Sequence, residues 1–152
     1  MRRLEQSRPF ANAVEEATVN LLVTASWLDD RVERTLAPLG ITHRQYNVLR
    51  ILRGTHPEGH PRCEIARRMI DRAPDVTRII DRVEKAGLVE RGSDPEDGRR
   101  SVTRLTRSGV SLLAKATGAL EPLQKLLTHR LSARSAHDLS RICEALYGPD
   151  LE

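Results

Sequence analysis

The chain has 152 residues, enough for one domain with a sizeable core and too few for two independent ones. Aromatic residues make up only 3%, so aliphatic side chains carry the packing, and so few rings argue against the base-stacking platforms of single-strand binders. A net charge of +4 permits a polyanionic partner without demanding one, and no run reaches the roughly 18 apolar residues of a membrane span.

In residues 11–36 apolar side chains recur at Val14, Ala17, Leu21, Ala25, Leu28, Val32 and Leu36. Steps of three and four predict a long amphipathic helix, stopped by the Pro38–Gly40 turn. The preceding "MRRLEQSRPF" has no apolar h-region, so a cytoplasmic location is expected. Thr42 and Gln45 then form a capping-box pattern for a second helix that carries Tyr46, Leu49 and Leu52 and ends near Gly54.

"THPEGHP" (residues 55–61) reads as a turn-rich loop. "RCEIARRMI" follows as a short helix with Ile65, Ala66, Met69 and Ile70 expected inward. "DRAPD" interrupts it, because Pro74 suits only the first turn of a new helix. That helix should run from about 74 to 86, burying Val76, Ile79, Ile80 and Val83, with Asp75 beside its positive end and Gly87 as its C′ residue.

"LVERGSD" and "RRSVTRL" predict two short strands around a turn built from Asp94, Pro95 and Gly98. Thr106 caps a helix over residues 107–127, with Val110, Leu113, Leu120, Leu123 and Leu127 on one side and Pro122 positioned to bend it. Ser132 starts a last helix bearing Leu139, Ile142, Cys143 and Leu146. The outer helices have apolar stripes and little to bury them against, which suggests a second copy of the chain.

Charge is concentrated in the centre. Residues 62–107 hold 12 Lys/Arg against 9 Asp/Glu, while the rest of the chain holds 13 against 12. Lys85 is the only lysine in that block; the rest are arginines, the better fork for phosphates and guanine edges. Two short helices, a tight turn and a hairpin make a winged helix-turn-helix, whose second helix fits the major groove of duplex DNA. Its outward face holds Asp75, Arg78 and Arg82, flanked by Thr77 and Asp81. Arg78 suits guanine O6/N7, Asp75 cytosine N4, and Thr77 a phosphate or thymine methyl. The same residues also suit a solvated face laced with i,i+3 and i,i+4 ion pairs.

The run "EIARRMIDRAPDVTRIIDRVEKAGLVERGSDPEDGRRSVTRLTRSG" (residues 64–109) strongly resembles the MarR family, the multiple antibiotic resistance regulators. The resemblance includes the "VTRIIDRVEKAGLVER" helix, the "DPEDGRRS" wing and the "LTRSG" entry to the next helix, and its helical flanks extend it over nearly the whole chain. It implies a mainly α fold with a small β-hairpin wing: a winged helix-turn-helix lobe over 41–106 and dimerisation helices over 9–38 and 107–148, all in one domain, 1–152. It implies a homodimeric repressor on a pseudo-palindromic operator, released when a small, often phenolic or otherwise aromatic, effector binds between the dimer and DNA lobes.

Carried over by position, the resemblance assigns base and backbone contacts to Asp75, Thr77, Arg78 and Arg82. It places Arg99 at the wing tip that enters the minor groove, with Asp97 bracing the wing and Arg100 on the DNA backbone. Ala73-Pro74 stands where many members have a Ser or Thr cap, so this helix start should be less well capped. The effector pocket should lie near Trp27, Arg31, Tyr46 and Leu49, residues that serve equally well as ordinary core.

Other readings have weaker patterns. His56, His60 and Cys63 lie within eight residues, and some relatives sense zinc, but a closed zinc site needs four ligands and no second cluster follows. A redox role would use Cys63 or Cys143; peroxide-sensing relatives carry their cysteine early in the first helix, and both thiols here are expected to be buried and inert. No cofactor or metal is implied. Nucleophile elbow, P-loop and HExxH motifs are lacking, and Ser135, His137 and Asp138 are too close in sequence to face one another on a helix, so no enzyme is expected. A winged helix used for protein interaction would have no reason to carry arginines at its hairpin tip.

Overall fold

A computed structural model of the chain describes residues 9–71, 75–93 and 101–148. The chain divides into two compact units, residues 1–43 and 44–152. In the first, helix α1 spans Ala13–Leu36. Its start is capped by Asn12, whose side chain accepts from the Glu15 amide at 2.9 Å, while the Glu15 carboxylate reaches back to the Ala11 amide at 2.7 Å. A single 3₁₀ turn over Ala37–Leu39 follows, and Gly40 closes it in the left-handed region at φ 74°. The return chain is tied to the end of α1: the His43 amide donates to Glu33 at 3.0 Å, and His43 Nδ1 lies 2.7 Å from Asp29. The apolar stripe is buried only at its C-terminal end. Leu36 is buried and Leu28 and Val32 half-buried, whereas Val14 and Leu22 are 75% and 65% exposed.

The second unit begins within α2 (His43–Arg53) and continues with β1 (His60–Pro61), α3 (Arg62–Arg68), α4 (Val76–Lys85), β2 (Val89–Ser93), β3 (Ser101–Leu105), α5 (Arg107–Arg130) and α6 (Ala133–Tyr147). The strands form one antiparallel sheet in the order β1-β3-β2, with Glu90 opposite Arg104 and Gly92 opposite Val102. Its buried side chains include Leu49, Leu52, Ile65, Val76, Ile80, Val83, Val89, Val102, Leu105 and Leu113. Aliphatic burial of this kind stabilises by about 1.5–3 kcal/mol per side chain, so the few aromatics are no handicap.

Three expectations need correction. His60-Pro61 is not loop but a strand, paired with Val102 and Thr103; a two-residue segment has too few residues for alternation to show. Ile70 points outward at 71% exposure, and Ala66 is also exposed, because α3 ends at Arg68 and Met69 leaves helical geometry at ψ 141°. Helix α4 starts at Val76 rather than at Pro74, with Asp75 as its N-cap: the Asp75 carboxylate accepts from the Arg78 amide at 3.2 Å. The helix start expected to be poorly capped therefore has a good cap, one position later than the Ser or Thr sought.

Three of the expected end devices are present. Gly87 ends α4 at φ 70°, Thr106 caps α5 by accepting from the Gly109 amide at 3.0 Å, and Ser132 caps α6 by accepting from Ser135 at 3.1 Å. Pro122 lies inside a continuous α5. Helix α6 leaves Leu139, Ile142, Leu146 and Tyr147 exposed and buries no residue.

Candidate nucleic-acid interface

The recognition helix is α4. Val76, Ile80 and Val83 are buried and Ile79 half-buried, so helical geometry turns Thr77, Arg78, Asp81 and Arg82 to solvent. Helix α2 holds the chain that leads to it. Asn47, itself buried, accepts from the Ile70 amide at 3.0 Å, and Arg44 Nε lies 2.6 Å from Asp71. Neither contact has a signal in the sequence, since they join residues more than twenty apart.

Charge pairing sorts the outward residues. Arg78 Nε lies 2.8 Å from the Asp75 carboxylate, the i,i+3 pair anticipated for a solvated face. Asp75 thus serves first as cap and counter-ion. Arg82 has no acidic partner among the described residues. Asp81 and Glu84 instead face the hairpin: Arg91 of β2 pairs with Asp81 and lies 3.0 Å from Glu84. One arginine therefore joins the wing's first strand to the recognition helix.

The wing stem carries a second arginine. Arg104 donates to the Ser93 carbonyl at 3.0 Å, and its guanidinium lies over Gly92, where an added Cβ would come within 2.7 Å of Nη1. Arg104 braces the hairpin from strand to strand. Asp97, Arg99 and Arg100, the expected wing-tip residues, lie outside the described residues.

The four expected pocket residues fall in both units. In the first, the exposed Arg31 lies 5.5 Å from the ring centroid of the half-buried Trp27, a cation–π pair. In the second, Tyr46 and Leu49 are buried, and Arg50 lies 5.9 Å from the Tyr46 ring. A groove of about 420 Å³ runs elsewhere, along α5, lined by Arg107, Ser108, Ser111, Leu112 and Lys115.

His56, His60 and Cys63 do not converge: among the described residues no three His, Cys, Asp or Glu side chains are grouped to hold a metal ion. His60 is buried in β1, with no hydrogen-bond partner for Nε2 among the described residues, and burial, reinforced by Arg68, lowers its pKa. Cys63 is exposed and Cys143 half-buried, so neither is the buried thiol expected. Glu64 sits between Arg67 and Arg68 at 2.8 and 3.5 Å, and the Arg67 hydrogen bond holds its carboxyl below the usual range. No helix among the described residues is long and apolar enough to cross a membrane.

Comparison with known proteins agrees with this geometry. The MarR family model matches residues 41–101. The chain is 30% identical over 106 residues to the HTH-type transcriptional regulator PrsX of Escherichia coli, covering 67% of this chain and 64% of that relative's length. It is 27% identical over 119 residues to the HTH-type transcriptional repressor Rv2887 of Mycobacterium tuberculosis, covering 78% and 84%. Among solved structures, a MarR transcription factor from Planctomyces limnophilus is 34% identical with a TM-score of 0.67, covering 90% and 99%. At 20% identity, where likeness bears on the fold alone, stand CouR of Rhodococcus jostii bound to p-coumaroyl-CoA and the MepR–DNA complex of Staphylococcus aureus. CouR has a TM-score of 0.79, covering 90% and 95%, and MepR one of 0.77, covering 87% and 94%.

Proposed function

This chain belongs to the MarR family of transcriptional regulators, and on that premise we propose that it is a homodimeric repressor that binds double-stranded operator DNA in the cytoplasm and is released by a small, aromatic effector. The observation that carries the reading is α4. It buries Val76, Ile80 and Val83, presents Thr77, Arg78 and Arg82 to solvent, and is joined through Arg91 to a hairpin wing.

The roles of the single residues follow from their surroundings. Arg82, without an acidic partner among the described residues, is the readier cation for DNA. Arg78 must exchange Asp75 for a guanine edge, which makes its contact conditional on a matching base. Asp75 then keeps its cap and accepts from a base only with its remaining lone pairs. Arg99, with Asp97 and Arg100 beside it, is the wing-tip contact.

Exposed apolar residues on α1 and α6 support self-association, since surfaces of this kind are costly in water. The effector class rests on the ligand-bound CouR neighbour and on the Trp27–Arg31 pair, which suits an aromatic group bearing negative charge.

Duplex binding measured against salt tests the reading. Affinity should fall steeply as salt rises, by about 0.9 log units per log unit of salt for each phosphate neutralised. Absence of binding to any duplex at low salt would sink it. Genome-wide recovery of bound DNA then supplies the operator.

A further inference from the structure

Within the DNA-binding reading above, on which this inference rests, we propose that Arg62 and Thr77 form a two-donor clamp on one backbone phosphate of the duplex, extending the interface from α4 onto α3. Arg62 is the first residue of α3 and is exposed. Its Nη1 donates to Thr77 Oγ1 at 3.4 Å.

Four of the nearby arginines are engaged by carboxylates. Arg67 and Arg68 share Glu64, Arg44 takes Asp71, and Arg78 takes Asp75. Arg62 has no acidic partner among the described residues; its contact there is with a neutral hydroxyl. A cation held in that way keeps its charge uncompensated for a ligand.

The direction of the hydrogen bond matters. A hydroxyl has one donor hydrogen and two acceptor lone pairs. Because Thr77 Oγ1 accepts from Arg62, its hydrogen is left to donate outward. Arg62 retains further N–H donors in a planar fork. One O–H and one charged N–H, a hydrogen bond apart, match two oxygens of a single phosphate. Thr77 lies on the outward face of α4, so the phosphate concerned is one flanking the major groove that α4 enters.

The test uses the full chain and a duplex that the wild-type protein binds. Arg62→Ala should weaken binding about tenfold to specific and unrelated duplexes alike, and make the salt slope shallower by about 1. Thr77→Val should weaken binding too, and the double variant should lose less than the product of the single losses. A methylphosphonate scan should find one position per half-site where wild type loses affinity and Arg62→Ala does not respond. Thr77→Ser, which keeps the hydroxyl, should bind like wild type, and Arg62→Gln serves if the alanine variant fails to fold.

Independent losses, or an unchanged salt slope in a folded Arg62 variant, overturn the clamp. If Arg82→Ala still weakens binding there, the DNA-binding reading survives alone. A wild-type chain that binds no duplex overturns both.

Discussion

The Thr106 hydroxyl donates to the carbonyl oxygen of Gly87 at 2.7 Å, so the residue that starts α5 also closes the end of α4. The Thr106 amide donates to the Leu88 carbonyl at 3.1 Å, and the Thr106 oxygen accepts from the Gly109 amide. The recognition helix and the long helix after the wing are thus locked together by one side chain, which satisfies groups at both helix ends. Thr106→Val keeps the shape and loses both side-chain bonds, and is expected to cost about 1–2 kcal/mol. Thr106→Ser should restore most of it. Urea unfolding of the three proteins decides, and equal midpoints would remove the lock.

Gly109 sits at the same junction. A Cβ there would lie 2.0 Å from the Leu88 carbonyl oxygen and 3.0 Å from its carbon, so backbone rather than a movable side chain blocks it. Helix propensity alone would make Gly109→Ala stabilising by about 1 kcal/mol. Steric conflict reverses the sign, and a loss at or above the usual 1–3 kcal/mol of overpacking is expected. A more stable alanine variant would show that α5 does not approach Leu88 this closely.

Arg91 tests whether the wing needs its tether. Its partners Asp81 and Glu84 are half-exposed, so Arg91→Ala should cost less than about 1 kcal/mol of stability. Duplex affinity should drop far more, because the wing loses its fixed placement beside α4. Intact affinity in a folded variant would mean that the sheet alone orients the wing.

His60 gives the lobe a pH dependence of known sign. Burial first, then Arg68 and Arg67, lower its folded-state pKa, and only Glu64 opposes them. The unfolded chain, with a histidine pKa of about 6.5, therefore takes up the proton first as pH falls. Stability is fully present above that value and is lost as pH drops through it towards the folded pKa. Urea midpoints at pH 7.5 and 5.5 should differ more for wild type than for His60→Phe. The same difference in both proteins would assign the effect to other groups.

Arg99 is the residue on which the wing-tip reading rests. Arg99→Ala should weaken binding to duplexes with A·T-rich flanks, where the minor groove is narrow and negative, more than to G·C-rich ones. Self-association, measured by sedimentation, should not change. Equal losses on both flanks would leave Arg99 as a plain phosphate contact.

Much of this was legible in the sequence, because local physics fixes it. Three- and four-residue apolar spacing marked α1, α2, α4, α5 and α6, and short-range caps marked the ends at Gly87, Thr106 and Ser132. The outward face of α4 followed from helical period alone once Val76, Ile80 and Val83 were taken as buried. Tertiary structure decided whatever depends on partners distant in the chain. It made a strand of His60-Pro61, buried Asn47 under Ile70, exposed Cys63, and set Arg104 as a brace on Ser93. Among the described residues it also separates Arg78, Arg67 and Arg91, paired to Asp75, Glu64 and Asp81, from Arg62 and Arg82, which have no acidic partner there. Arginines look alike in a sequence; only the carboxylates folded beside them determine which keep their charge for a partner.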